Sequence, residues 1–501
     1  MWLTAGGLRA RVPLMAYPKK IFHWIDGKEV RPASNKFFPK VNPATGEVFV
    51  LVAKGDRRDV EKVLRSAEKG FEAWSEISVV KRAEILRGAV FLMQARKEEL
   101  AEIVARESGK SKKSALGEVD AAIECGFFFA GEGRRFFGEV LPTAVPNRSV
   151  KMVREPVGIG ALITPFNNPA AGVAWKIFPA LLCGNAVIVK SHEYTPYVAV
   201  WYAKVFKEAG VPAGVISVLQ GTGPEIGAPL VADPRIEFVS LTGSAATGQK
   251  ILKATAPRLA KVSIEAGGKN PFVVCDDADL EKAAAVAVAA AFVDAGQRCA
   301  AASRIIVFDK VYEKFKKLFL QKVNALKIGT ADTDDYGAII SEKRMKEILN
   351  AVRGAQKRRG VLLAGGVRLA DDMHKKGFFI SPTVFERVSP KDEISLDELF
   401  GPVVILYRVR NLEEAIQLAN DSKFKLSGAI HTASIHRAEE FVRRCRAGVV
   451  RVNGPTHGSE PHMPFGGIGL SGNGWREPGT KALEFYSEWK QVSVDYDSEK
   501  I

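Results

Sequence analysis

From Gly158 onward the chain repeats one unit, a short unbroken apolar run followed by a helical stretch. The runs are Gly160–Thr164, Ala186–Val189, Val215–Leu219, Phe238–Leu241 and Lys261–Ile264, and helical patterns cover Ala170–Cys183, Tyr197–Glu208, Pro224–Ala232 and Ala246–Thr255. Strands that are apolar on both faces must be covered on both, and a crossover helix between successive strands makes them parallel. The pattern predicts an α/β fold with a doubly wound parallel sheet. A second α/β unit begins near Asn270, with strands over Phe272–Val274, Arg304–Phe308 and Val403–Val409 and helices over Leu280–Val293 and Tyr312–Leu326. Ahead of both, Val60, Val63, Leu64, Ala67, Phe71 and Trp74 fall on one face of a helix over Arg57–Trp74. Another helical pattern runs from Lys81 to Ser108 and stops at Gly109. Val140–Arg154 reads as a hairpin and Phe485–Tyr496 as a late strand.

A chain of 501 residues is long enough for two or three domains. Its net charge is +15, but the basic residues are spread through helical patterns such as 310–327 and 353–359. No Lys/Arg block interleaved with aromatics appears, so the surface reads as one that favours anionic metabolites and cofactors, with no nucleic-acid partner. Five widely spaced cysteines without a CxxC pair argue against a disulfide framework or zinc site, and four of them sit in apolar surroundings. Of seven histidines, His457 and His462 fall close together, but Pro461 between them gives no ligand geometry, so no metal is assigned. No run reaches the roughly 18 apolar residues of a membrane span. Residues 1–20 carry Arg9, Arg11, Lys19 and Lys20 without an acid, and the two arginines interrupt the apolar run of a secretory signal. The expectation is a disordered extension, with Met15 as the functional start, on a cytoplasmic protein without a membrane partner.

Cys299 lies in Asp294-Ala295-Gly296-Gln297-Arg298-Cys299-Ala300-Ala301-Ala302, where small neighbours let a substrate approach the sulfur. A thiolate is the strongest side-chain nucleophile near neutral pH. Glu265 in Ile264-Glu265-Ala266-Gly267-Gly268-Lys269 and the amides of Pro165-Phe166-Asn167-Asn168-Pro169 complete a set of nucleophile, acid/base and oxyanion donor. That set suits covalent chemistry on a carbonyl. Taken singly, Cys299 is an ordinary core cysteine, Glu265 a strand-end carboxylate and Asn167 an Asx-turn residue.

These segments, with Phe400-Gly401-Pro402 and Pro464-Phe465-Gly466-Gly467, resemble the aldehyde dehydrogenase superfamily in the same order from about Phe22 to Tyr496. The resemblance implies a dinucleotide-binding domain over 21–138 and 157–267 and a catalytic domain over 268–475. It also implies a small β oligomerisation arm over 139–156 and 481–497, although those pieces equally read as ordinary edge strands. It further implies a homodimer or homotetramer. The chemistry it implies is attack of Cys299 on an aldehyde, with the oxyanion held by the Asn167 amide and the Cys299 N–H. Hydride loss to the nicotinamide then leaves a thioester, hydrolysed by water that Glu265 deprotonates.

The coenzyme is expected to be NAD or NADP. Gly-x-Gly-x-x-Gly is missing, and Leu241-Thr242-Gly243-Ser244 turning into a helix stands in its place, offering free N–H groups to a phosphate or simply a good N-cap. By resemblance, Lys190 and Glu193 hold the adenosine ribose, His192 lies beside them, and Glu398 with Phe400 holds the nicotinamide ribose. Thr164, Pro165, Phe166, Gly223, Gly227 and Gly267 are further coenzyme contacts. A carboxylate at 193 leans the choice slightly to NAD. Trp175 and Phe465 match the apolar wall of the aldehyde tunnel, and His457 and Ser459 lie on the loop at its mouth. Asn168 and Ala266 depart from the usual bulky residue and Leu. Arg298 faces the tunnel by resemblance and could pair with a substrate carboxylate or phosphate, or equally make an outward salt bridge. Such a lining suits a small acidic aldehyde, a succinate or 2-oxoglutarate semialdehyde, or glyceraldehyde free or phosphorylated. The alternatives are a CoA-acylating or reductive enzyme, which Glu265 argues against, and a catalytically silent structural homologue.

Overall fold

The computed structural model describes residues 17–496. Met15 and most of the N-terminal extension lie outside them. Residues 17–20 are ordered, contrary to the expectation for 1–20: Lys20–Ile21 pairs in parallel with Val48–Ala53, and the Tyr17 hydroxyl donates to Glu107 at 2.6 Å.

The first large sheet has seven strands, in the order Lys261–Glu265, Phe238–Thr242, Ile159–Ile163, Ala186–Lys190, Ile216–Leu219, His23–Ile25, Lys28–Val30. The first five are parallel, as their unbroken apolar sequences require, and the last two add an antiparallel edge. Chain order reverses between Ile159–Ile163 and Phe238–Thr242. In doubly wound sheets the carboxyl ends of the strands at such a reversal open into a ligand crevice. The segments that emerge there are Thr164–Asn168 and Gly243–Ser244.

The second sheet also has seven strands: Val361–Ala364, Thr383–Glu386, Val403–Val409, Ala302–Phe308, Asn270–Val274, Ser427–His431 and Val449–Val452. All neighbours pair in parallel except the first two. Each sheet carries its own buried core, one around Trp74, Phe178, Trp201 and Phe206 and the other around Phe272, Phe315, Phe319 and Phe385. A three-stranded antiparallel ribbon joins distant parts of the chain, with Ser487–Asp495 paired along the whole of Arg148–Pro156 and Glu139–Leu141 at the edge. Among the described residues no helix is long and apolar enough to cross a membrane.

Three expectations are corrected. The helix over Lys81–Ser108 is two, Val79–Ala95 and Lys97–Ser108, separated by Arg96 at φ −113° and ψ 24°. No Gly or Pro marks the break. It turns the second helix onto Lys112–Glu132 and Pro196–Glu208, and the Arg96 guanidinium donates to Glu208 at 2.6 Å. The stop at Gly109 holds, since that glycine is left-handed at φ +75°. The helix over Pro224–Ala232 opens as a wide turn over Gly223–Gly227 before Ala228–Ala232. Phe485 belongs to the short helix Ala482–Tyr486, not to the late strand.

Candidate active site

Cys299 sits on the loop between helix Leu280–Phe292 and strand Ala302–Phe308 of the second sheet, and the first sheet comes up against it. The thiol is half-buried among Ala300, Leu426, Phe465, Trp175 and Val449, and the Trp175 and Phe465 rings lie 5.7 Å apart. Trp175 comes from helix Pro169–Leu182, so the apolar wall around the sulfur spans both sheets. The loop is built under strain. Asp294, Ala295 and Gly296 are all left-handed, at φ +54°, +56° and +66°, which for Asp and Ala costs energy that surrounding contacts must offset. Two carboxamides hold it. Gln297 donates from Nε2 to Ala338 O at 3.1 Å and accepts from Ile340 N at 2.9 Å. Asn270 donates from Nδ2 to Cys299 O at 2.8 Å and Ala301 O at 2.9 Å.

Glu265 ends the strand Lys261–Glu265, with its side chain buried and neither oxygen hydrogen-bonded. A Cβ at Gly466 would stand 2.4 Å from Glu265 Oε1, so that glycine makes room for the carboxylate. Burial raises the Glu265 pKa well above the ordinary carboxylate range, and Glu477 adds to it, while Lys176 and Arg476 oppose. Burial likewise pushes the Cys299 thiol up to about 12, with Glu398 and Glu265 adding and the Ala300 N–H and Arg298 opposing. The Cys299 thiol therefore holds its proton at rest. Burial also raises the other four cysteines.

Asn167 is buried directly before helix Pro169–Leu182. The helix is capped from a distance: Glu118 Oε1 accepts from Ala170 N at 2.7 Å and Ala171 N at 3.2 Å. The Asn167 carboxamide is thus not spent as a cap. The Asn168 Oδ1 accepts from the buried Lys110 Nζ at 2.8 Å. The Arg298 salt bridge runs inward and not outward, from Nε to the buried Asp294 at 2.6 Å. The Ser459 hydroxyl closes its own loop on Met463 O at 3.3 Å, and His457 Nε2 lies 3.3 Å from Ala289 O. Burial and Arg298 lower the His457 pKa to about 4, so its ring is neutral.

On the other side, Phe166 packs edge-on against His192 at 5.2 Å and Phe400 at 5.6 Å between centroids, joining the two sheets. Lys190 Nζ pairs with Glu193 at 3.1 Å. Burial works to raise Glu193, but His192 and Lys190 hold it down at about 2; burial lowers His192 to about 4. Ser244 caps helix Ala245–Thr255 by accepting from Thr247 N at 3.2 Å, and the helix starts directly after Thr242 and Gly243. Gly223 and Gly227 face open space. Glu398 accepts from Gly268 N at 2.9 Å, and a Cβ at Gly267 would stand 1.7 Å from its Oε2. Burial raises Glu398 to about 7. Thr164 and Pro165 line the turn between the Ile159–Ile163 strand and Phe166. A crevice with a helix N-terminus, the Glu193 and Glu398 carboxylates and an aromatic wall fits a dinucleotide.

The family profile described as the aldehyde dehydrogenase family matches residues 30–492. The chain belongs to that family. It is an aldehyde-oxidising oxidoreductase by that membership. It is 35% identical to an alpha-ketoglutaric semialdehyde dehydrogenase of Bacillus subtilis over 94% of this chain and 97% of the relative. It is 36% identical to a mitochondrial succinate-semialdehyde dehydrogenase of Arabidopsis thaliana over 94% and 88%. The structure of betaine aldehyde dehydrogenase from Staphylococcus aureus in complex with NAD+ superposes with a TM-score of 0.92 at 32% identity, covering 95% of this chain and 94% of that one.

Sequence patterns missed the charged groups behind the site. Lys176 and Glu477, 0% and 1% exposed, pair at 2.8 Å and share the Ser240 hydroxyl, which lies 2.8 Å from Lys176 and 2.7 Å from Glu477. A lone lysine in the apolar helix Pro169–Leu182 was the available signal, and Glu477, 301 residues away, offered none.

Proposed function

We propose that this aldehyde dehydrogenase oxidises a small aldehyde with a distal carboxylate, a semialdehyde of the succinate or 2-oxoglutarate kind, to the diacid, with NAD(P) as coenzyme and NAD preferred. The observation that carries the substrate class is Arg298. Its Nε is fixed on Asp294, its Nη groups have no hydrogen bond among the described residues, and the side chain is 27% exposed one residue from the thiol. A guanidinium held by one edge offers the other to a carboxylate. His457 is neutral and adds no charge. The carboxylate of Glu193, ionised across the physiological range, disfavours a 2′-phosphate, which supports NAD.

In this reading Cys299 attacks the aldehyde carbon as its thiol proton passes through water to solvent. The Asn167 amide and the Cys299 N–H hold the oxyanion, each such donor contributing about 3–4 kcal/mol. Thr164, Pro165, Phe166, Lys190, Glu193, Ser244 and Glu398 hold the coenzyme, whose oxidised nicotinamide supplies a positive charge and the hydride acceptor. Glu265 in its ionised form then takes a proton from water, for which a raised proton affinity makes it a stronger base, and the water oxygen bonds to the acyl carbon as the Cys299 sulfur leaves. Residues 21–138 and 157–267 form the coenzyme domain and 268–475 the catalytic domain. The ribbon of 139–156 and 481–497 is the arm through which copies associate as a dimer or tetramer, consistent with Val140 standing 85% exposed at its edge. Five free cysteines suit a reducing compartment, and we assign the cytoplasm.

The test is a panel of acidic and neutral aldehydes of equal chain length with NAD and NADP, following reduced nicotinamide. Arg298→Ala is expected to raise KM for acidic aldehydes by about tenfold or more, the worth of a hydrogen bond to a charged group, with little change for neutral ones. An equal change for both removes Arg298 from recognition.

A further inference from the structure

The ammonium of Lys110 is buried and touches three oxygens from three separate segments: Glu118 Oε2 at 2.8 Å, Asn168 Oδ1 at 2.8 Å and Asp294 Oδ2 at 3.3 Å. An ammonium has three donors, so its capacity is filled. Glu118 belongs to helix Lys112–Glu132, and its other oxygen holds the first turn of helix Pro169–Leu182. Asn168 is the neighbour of Asn167, and Asp294 opens the strained turn that carries Cys299. The same Asp294 oxygen also accepts from Arg298, so the cluster balances two cations against two anions.

We propose that Lys110 is a positioning residue that sets the distance between the two halves of the oxyanion pocket, the Asn167 amide and the Cys299 N–H. The two donors sit on loops from different sheets, and among the described residues no backbone ladder joins those loops. Lys110 is the direct tie between them, through Asn168 on one side and Asp294 on the other. A donor pair stabilises a developing oxyanion only while both stay about 2.7–3.1 Å from it, so a slack loop lowers the acylation rate without altering how aldehyde or coenzyme first binds. The proposal rests on the reading of Asn167 as an oxyanion donor.

The experiment measures the pre-steady-state burst of reduced nicotinamide in the full-length enzyme for Asn167→Ala, Lys110→Met, Asn168→Leu and the double variant Asn167→Ala/Lys110→Met. Asn168→Leu keeps the Lys110, Glu118 and Asp294 charges together and covers the case in which Lys110→Met does not fold. The expected result is a burst rate lowered about tenfold or more in Lys110→Met and by a smaller factor in Asn168→Leu, with KM for aldehyde and coenzyme within about twofold. On top of Asn167→Ala, Lys110→Met is expected to add little, because the donor it positions is gone. Full additivity, or a parental burst rate in Asn168→Leu and in any folded Lys110→Met, overturns the positioning role while the oxyanion reading stands. A parental burst rate in Asn167→Ala overturns both.

Discussion

In Glu265→Gln the side chain keeps its shape and loses the ability to take a proton from water. Neither carboxylate oxygen has a hydrogen-bond partner, so no bond is broken, and the backbone stays in its ladder with Phe238–Thr242. Cys299 and Asn167 are untouched, so acylation proceeds and one equivalent of reduced nicotinamide per site appears as a burst. General-base assistance is worth about 10²–10⁴ in rate, so steady-state turnover is expected to fall by that factor, or about 3–5 kcal/mol of barrier. Stopped-flow absorbance reads both phases, and acid quench followed by mass spectrometry shows the acyl adduct on Cys299. A second consequence concerns stability. The folded state holds a proton on Glu265 that the unfolded chain releases above about pH 4.3, so this group's contribution to stability is lost as pH rises through its raised folded pKa. The amide has no such dependence, so the melting temperature of Glu265→Gln relative to the parent is expected to climb as pH rises above the ordinary carboxylate range. Turnover within about threefold of the parent with no burst refutes Glu265 as the base, and a flat difference in melting temperature refutes the buried, proton-holding carboxyl.

Other perturbations test other parts of the site. Glu193→Gln removes an anion held near pKa 2 beside Lys190 and is expected to raise the NADP to NAD ratio of kcat/KM about tenfold, read by steady-state kinetics with both coenzymes. Gly267→Ala places a Cβ 1.7 Å from Glu398 Oε2, which must displace that carboxylate from Gly268 N; coenzyme KM is expected to rise while the fold survives, checked by titration calorimetry and circular dichroism. Lys176→Met strands Glu477 in the interior and is expected to cost about 3–5 kcal/mol, seen as a lower denaturant midpoint.

Much of the architecture was legible because buried parallel strands write themselves as unbroken apolar runs. Ile159–Ile163, Ala186–Lys190, Ile216–Leu219, Phe238–Thr242 and Lys261–Glu265 each begin and end within one or two residues of the sequence reading. The break at Arg96 was invisible, because it answers to packing against Glu208 and Lys112–Glu132 and carries no Gly or Pro. Helix Lys112–Glu132 itself was missed, although Ser111 caps it.

Chemical side chains in short motifs, Cys299, Glu265 and Asn167, stood out from the chain alone, since reactivity depends first on residue type and near neighbours. Protonation and pairing did not. The thiol near 12, the raised proton affinity of Glu265, the inward turn of Arg298 onto Asp294 and the three-way bond of Lys110 all arise from burial and from partners brought together across the chain. Desolvation and Coulomb interaction act through space at a few ångströms, and only the folded chain decides which groups share that space.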